Sequence, residues 1–265
     1  MEIMSLRNIH QNTEKIIKIL RLRTSPLAIK MLRSEADVPR EAKRPLKDMG
    51  YRLDLCQGFS MSRWEGITIA MLKEDMWCFE PVIGYGLAEP PQDFLDGNNR
   101  FPDSAMTQEA GRKWAQSFPR LKVGEYIGIV SALLNKCSFE PDMFVVYCDP
   151  SQLTQLLIAK NCIDGDDVNC RLSGHAACVY AVVPVLQNRQ CLVASPCRGD
   201  RRIAMTQNNE IIFSAPTEIL DDLVKALHYL EKHNWGFPWG FELKPEHKLA
   251  ESYIKIGEMM GMKYR

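Results

Sequence analysis

CVYAVVPVLQNRQCLVASPCRGDRR, residues 178–202, decides how the chain is read. An apolar segment opens on Cys178, turns at Gln187-Asn188-Arg189, runs as a strand through Cys191-Leu192-Val193-Ala194 and stops at Pro196-Cys197. A cationic loop follows, Arg198-Gly199-Asp200-Arg201-Arg202. A fainter copy lies upstream in CQGFSMSRWEGITIAMLKEDMWC, residues 56–78. Both stretches read cysteine, short helix, turn, strand, cysteine, with the paired cysteines 22 and 19 residues apart. Two such units can bring Cys56, Cys78, Cys178 and Cys197 to one place, at the junction of two related halves.

The halves also begin alike. Ser25-Pro26 leads into LAIKML and Pro141-Asp142 into MFVVYC, both of which read as strands. Residues 5–22 set Leu6, Ile9, Thr13, Ile16, Ile17 and Leu20 at helical spacing, which predicts an amphipathic first helix ending before Pro26. RPLKDMG reads as a short helix closed by Gly50, Ile67–Leu72 as a strand, Ala105–Phe118 as a helix and EYIGIVSALL (125–134) as a strand. Asp149-Pro150-Ser151-Gln152 is a good helix start: Asp can cap, proline suits the first helical position, and Gln stands three beyond the cap. RIAMT and EIIFSA around Gln207-Asn208-Asn209 predict a hairpin, and Pro216-Thr217-Glu218 opens a helix with Leu220, Leu223, Leu227 and Leu230 on its apolar stripe. The Gly-, Pro- and Asn-rich run from Gly84 to Pro102 predicts a long ordered loop, of the kind that covers sites.

The expected architecture is α/β, a mixed sheet with flanking helices in two pseudo-symmetric half-domains. Its divisions are an N-terminal helix (1–24), a first half (25–134), a second half (135–234), and an aromatic loop, WGFPWGFE, with a C-terminal helix (235–265), all in one compact unit.

A chain of 265 residues can build its core without covalent staples. Its 46% hydrophobic and 25% charged residues are those of an ordinary soluble protein. With 33 basic and 33 acidic side chains it lacks the basic excess of a nucleic-acid binder. MEIMSLRNIHQNTEKIIKIL reads as neither a signal peptide nor a membrane span, so a cytoplasmic protein with reduced cysteines is expected. No phosphate loop, strand-led G-x-G-x-x-G, H-E-x-x-H or G-x-S-x-G is present, which leaves nucleotide-driven and serine-hydrolase readings without support.

The chemistry rests on the cysteines. Cys56 and Cys178 each open an expected helix, where unpaired backbone N–H groups favour a thiolate. Cys78 and Cys197 each follow a strand, where the loops of α/β sheets carry sites. The tight C-x-x-C pairs of zinc ribbons and ferredoxins are absent, so the signal is one of geometry across halves, and thiols merely packed in two similar units are the plain alternative. Converging thiolates suit zinc and a [4Fe–4S] cluster alike. The basic run favours the cluster, an anion that Arg198, Arg201 and Arg202 can stabilise, or an anionic substrate beside it.

His175 in SGHAAC is a candidate ligand or proton donor, Cys170 a reserve ligand, and Lys30 in LAIKML a candidate contact for a carboxylate or substrate. Trp235 to Phe241 form a candidate lid over an apolar ligand. Cys148 and Cys191, inside apolar runs, read as core. The functional expectation is therefore an iron–sulfur protein, a redox enzyme or lyase acting on a small anionic substrate, with His175, Arg198, Arg201 and Lys30 as catalytic candidates. The competing readings are a small-ligand-binding or accessory module with structural thiols, and a zinc protein using the same cysteines. The expected partner is a small-molecule substrate or an electron-transfer protein, not nucleic acid or a membrane, and homo-oligomer formation is left open.

The segments PLAIKML, CQGFSMSRWEGITIAMLKEDMWC with GYGL after it, PDMFVVYCDPSQLTQLL, SGHAACVYAVVPVL and SPCRGDRRIAMTQNNEIIFSAP together carry a family resemblance. Over most of its length the chain resembles the uncharacterised, cysteine-rich archaeal and bacterial family known as domain of unknown function 169. The resemblance implies a cytoplasmic protein typical of anaerobes and archaea, and it matches Cys56, Cys78, Cys178 and Cys197 to the family's cysteines. It implies no reaction.

Overall fold

The structure, a computed structural model, describes residues 4–240 and 249–264. In chain order its elements are α1 (Leu6–Leu20), β1 (Leu27–Leu32), α2 (Leu55–Glu65), β2 (Ile69–Leu72), α3 (Phe79–Gly84), α4 (Gln92–Leu95), α5 (Gln108–Ser117), β3 (Gly128–Leu133), β4 (Met143–Cys148) and α6 (Pro150–Asp164). They continue with β5 (Asn169–Cys170), α7 (Ala177–Tyr180), α8 (Val183–Asn188), β6 (Leu192–Ala194), α9 (Arg198–Ile203), β7 (Ile211–Pro216), α10 (Leu220–Lys232) and α11 (Glu251–Met259).

Local chemistry sets several of these bounds. Ser5 caps α1 by accepting from the Asn8 N–H, and Arg21 ends it in the left-handed region at φ 54°. Asp149 and Gln152 form the expected capping box of α6, with Pro150 at its first position. LAIKML is β1 over its whole length.

The seven strands make one mixed α/β sheet in the order β2-β3-β1-β4-β7-β6-β5. Neighbours are antiparallel except β5 and β6, which run parallel. Counted outward from the centre, the first half runs β1-β3-β2 and the second β4-β7-β6. In each, the earliest strand is central, the latest comes next, and the strand inside the cysteine unit lies outside it.

Alternation along the strands separates two cores. Leu27, Ile29 and Met31 of β1 face the helices of the two cysteine units, packing with Phe59 of α2, Val179 of α7 and Val185 of α8. Ala28 and Leu32 face the other way, onto α1, α6 and α10 through Ile16, Leu156 and Leu227. Helices therefore cover both faces, and of the four expected ligand cysteines Cys178 and Cys197 belong to the first core.

Three expectations are corrected. RIAMT is not a strand: Arg202 and Ile203 end α9, and Met205 adopts φ 56°, a conformation that no strand residue uses. The hairpin is thus lost, although EIIFSA does supply β7. The basic run after Cys197 is helix α9 rather than a loop, because Asp200 accepts from the Cys197 N–H and caps it. RPLKDMG does form the expected short helix closed by Gly50 (φ 81°), as a single π-helical turn over Pro45–Met49. The segment from Gly84 to Pro102 carries the short helix α4. Of the aromatic loop, residues 241 and 242 lie outside the described residues.

Candidate functional site

Short backbone pairings bring the members of each cysteine pair side by side. In the first half, the Leu53 N–H donates to the Asp75 carbonyl (3.0 Å) and the Trp77 N–H to the Leu53 carbonyl (2.8 Å). This parallel bridge sets the entry to α2 against the turn that follows β2. Asp75 fixes that turn: fully buried, its carboxylate accepts from Arg44 Nε (2.6 Å) and from the N–H groups of Leu46 and Leu72 (3.0 Å each). In the second half the parallel pairing of β5 with β6 does the same work, followed by the Arg198 N–H to the Gly174 carbonyl (3.3 Å). Cys56 is consequently the second residue of α2 and Cys178 the second of α7, while Cys78 caps α3 and Cys197 caps α9.

All four cysteines line one cavity of about 540 Å³. Gly199 closes in on two of them: a methyl group there would lie 3.5 Å from Cys197 Sγ and 3.8 Å from Cys56 Sγ. Cys56, Cys178 and Cys197 are buried and Cys78 is half-buried. The buried Tyr85 hydroxyl holds α7 in place by donating to the Cys178 carbonyl (2.8 Å).

Burial is the first cause that raises the pKa of all four thiols. The nearby Asp200 and Cys197 add to it for Cys56, the Cys56 thiol and Asp200 for Cys178, and Glu80 for Cys78. Cys197, at about 11, is the least displaced. In the protein alone the thiols are therefore neutral at pH 7. A metal centre among them reverses this, because a coordinated thiol is deprotonated outright.

At the rim a chain of polar contacts runs inward from the segment after α4. Arg100 pairs with Glu80 through Nη2, donates from Nη1 to His175 Nδ1 (3.0 Å), and lies 3.9 Å over the ring of Trp114. Glu80 in turn stands 3.4 Å from Cys78 Sγ. A guanidinium can only donate, so His175 accepts at Nδ1 and carries its proton on Nε2. Burial, and then the Arg100 charge, lower the pKa of His175.

Of the residues singled out in the sequence, His175, Arg198 and Arg202 line the cavity with the four cysteines. Arg201 does not; its guanidinium donates to the carbonyls of Gln207 (2.6 Å) and Glu210 (3.2 Å) and pins the turn before β7. Lys30 alternates with Ile29 and Met31 and so lies on the opposite face of the sheet from the cysteines. Cys170 is exposed on β5 and stands outside the cavity, as does Trp235. Cys148 and Cys191 are buried in the opposite core, as expected.

Glu80, Asn99 and Arg100 also line the site, and the sequence reading missed them. A signal existed for each, since Glu80 stands two residues beyond Cys78 and the other two lie in the segment read as a cover. A second cleft, about 700 Å³, is larger; on its walls Lys160 pairs with Asp164 and Arg189 with Glu218, and Asp166 and Asp167 also line it. The smaller cavity is the one that gathers the four cysteines. Among the described residues, no group of three or more His, Cys, Asp or Glu side chains is set to hold a metal ion, and no helix is long and apolar enough to cross a membrane.

A mixed sheet flanked by helices, with four cysteines from two units on one cavity, defines a cysteine-rich α/β protein. The chain belongs to the uncharacterised ArCR family, domain of unknown function 169, whose model matches residues 15–226. It is 23% identical over 236 residues to "Uncharacterized protein MJ0308" of Methanocaldococcus jannaschii, an alignment that covers 86% of this chain and 97% of that one. No solved structure matches at a significant level.

Proposed function

We propose that Cys56, Cys78, Cys178 and Cys197 hold a [4Fe–4S] cluster, and that the protein is a cytoplasmic, oxygen-sensitive redox enzyme or lyase acting on a small substrate in the adjoining cavity. The observation that carries this reading is the placement of four cysteines, from two units a hundred residues apart, on one cavity.

The donor set fits. Four soft sulfur ligands select iron or zinc over magnesium or calcium. The buried thiols repel one another as anions, which a bound cationic centre relieves. Gly199 leaves room beside two of the sulfurs that any larger side chain would fill. A zinc ion with sulfurs at about 2.3 Å gathers them within roughly 4 Å of each other. Among the described residues no group of three or more His, Cys, Asp or Glu side chains is set to hold a metal ion, so the choice between cluster and zinc rests on analysis of the purified protein.

Such a cluster, when bound, would supply one-electron transfer with all four cysteines as ligands, and a Lewis-acid iron only where one iron lacks a cysteine ligand. The chain's own residues do the rest. Arg198 and Arg202 attract negative charge to the mouth, the Glu80–Arg100–His175 chain orients a donor there, and the segment from Gly84 to Pro102 restricts water. The shared strand order and cysteine placement support the two halves as copies of one unit.

Oxygen-free purification followed by iron, sulfide and zinc analysis tests the reading. About four irons with matching sulfide per chain are expected. One zinc per chain replaces the cluster with a zinc site, and neither metal leaves a ligand-binding module with structural thiols.

A further inference from the structure

Helix α9 brings charge of both signs to the cysteines, one sign in solvent and the other inside the protein. Arg198 and Arg202 are exposed and line the cavity. Asp200 lies between them in sequence, is only 1% exposed and is not part of the cavity wall. Its Oδ2 accepts from the Cys197 N–H at 3.0 Å, and its Oδ1 is shut off from solvent with no hydrogen-bond partner among the described residues.

No cation is bonded to this carboxylate: Asp200 forms no salt bridge among the described residues. Arg63 and Arg201 stand near enough for their charges to be felt, but both are committed elsewhere. Arg63 pairs with Glu210 at 2.6 Å, and Arg201 donates to the carbonyls of Gln207 and Glu210. Arg63 and Glu210 together are neutral, so the negative charge of Asp200 is left over.

The thiols respond to it. After burial, Asp200 is the largest influence that raises the pKa of Cys56 and of Cys197, and it acts on Cys178 as well. A buried charge is felt strongly because little water screens it, whereas solvent and salt weaken the exposed arginines opposite. Of the two signs around the cysteines, the buried negative one therefore has the larger effect.

We infer that Asp200 sets the reduction potential of the centre held by Cys56, Cys78, Cys178 and Cys197, and keeps it low. Reduction adds one electron to that centre and makes or breaks no bond, so a fixed negative charge beside three of its ligands opposes it directly. The inference rests on the cluster proposed above and deepens that reading: the site is tuned to give up an electron at low potential.

Titration of the visible absorption with dithionite as reductant and mediator dyes, on protein purified without oxygen and assayed for iron and sulfide in the same sample, tests it. Asp200→Asn removes the charge and keeps a side-chain oxygen that can cap α9. At a fixed solution potential its reduced-to-oxidised ratio should rise at least about tenfold, an upward shift of about 59 mV for one electron. Asp200→Ser, which can also cap, should shift in the same direction, and Arg198→Ala with Arg202→Ala should lower the potential by less. An unchanged or lower potential in both Asp200 variants, or an arginine effect larger than theirs, overturns the inference and leaves the cluster standing. Loss of the cluster from both variants overturns it too, because Asp200 then serves assembly and not the potential. A parent without iron removes the cluster and the inference together.

Discussion

Cys78 and Cys197 hold the same place in the two halves: each caps a six-residue helix, α3 and α9, reached from the outer strand of its unit. Cys56 and Cys178 repeat the relation one step inward, each as the second residue of its helix. Proposed shared ligation would account for thiols that recur at matching positions on one cavity, and so would two copies of one packing unit.

Gly199 separates folding from binding. A methyl group at this site makes only ordinary contacts with the sulfurs of Cys197 and Cys56. Gly199→Ala should accordingly shift stability by no more than about 0.5 kcal/mol, whereas Gly199→Leu should fill the space beside those sulfurs. Metal analysis alongside thermal melting checks this: the leucine variant should melt near the parent and retain much less metal.

Arg100 ties the covering segment to the site through Glu80, His175 and the face of Trp114. Its replacement by alanine leaves Glu80, largely shielded from solvent, without its cation, and should lower stability by about 2 kcal/mol in urea unfolding. Arg100→Lys should recover less than half of the loss, because one ammonium cannot serve two partners and stack on the indole at once.

The acid limb of the stability profile should carry a contribution from His175. Its pKa is lowered in the folded chain from an ordinary 6.5, so below that pH the unfolded chain takes up a proton that the folded one resists. This contribution is fully present above pH 6.5 and is lost as pH falls towards the folded-state value. His175→Gln keeps an acceptor for Arg100 and does not titrate. Denaturation of both proteins at pH 7.5 and pH 5 should show the parent losing more stability than the variant; equal losses would rule this out.

On the same face of the sheet as these contacts, Arg63 of α2 meets Glu210 before β7 at 2.6 Å, with both side chains almost wholly buried and the guanidinium 3.7 Å from the Tyr147 ring. Removing one partner strands the other charge. Glu210→Ala should cost about 3 kcal/mol, and the double variant with Arg63→Met should be more stable than either single change. Chemical denaturation of the three variants measures it.

What could be read from the chain was what local chemistry dictates. Pro26 and the β-rich run after it gave the limits of β1, Asp149 and Gln152 gave the start of α6, and the repeated cysteine unit gave the four cysteines that line the cavity. Arg100 escaped because its partner His175 lies 75 residues away, and no local pattern joins them. RIAMT misled for the opposite reason: its composition favours a strand, but Asp200 had already committed the preceding residues to a helix. Lys30 looked available in a central strand until the sheet showed which face it shares.

Iron and sulfide content of single cysteine-to-serine variants, prepared without oxygen, tests the central claim most directly. The parent should hold about four irons per chain, and serine at Cys56, Cys78, Cys178 or Cys197 should sharply reduce both elements, while Cys148→Ser and Cys170→Ser leave them unchanged. Iron absent from the parent, or present and indifferent to all four substitutions, contradicts the account.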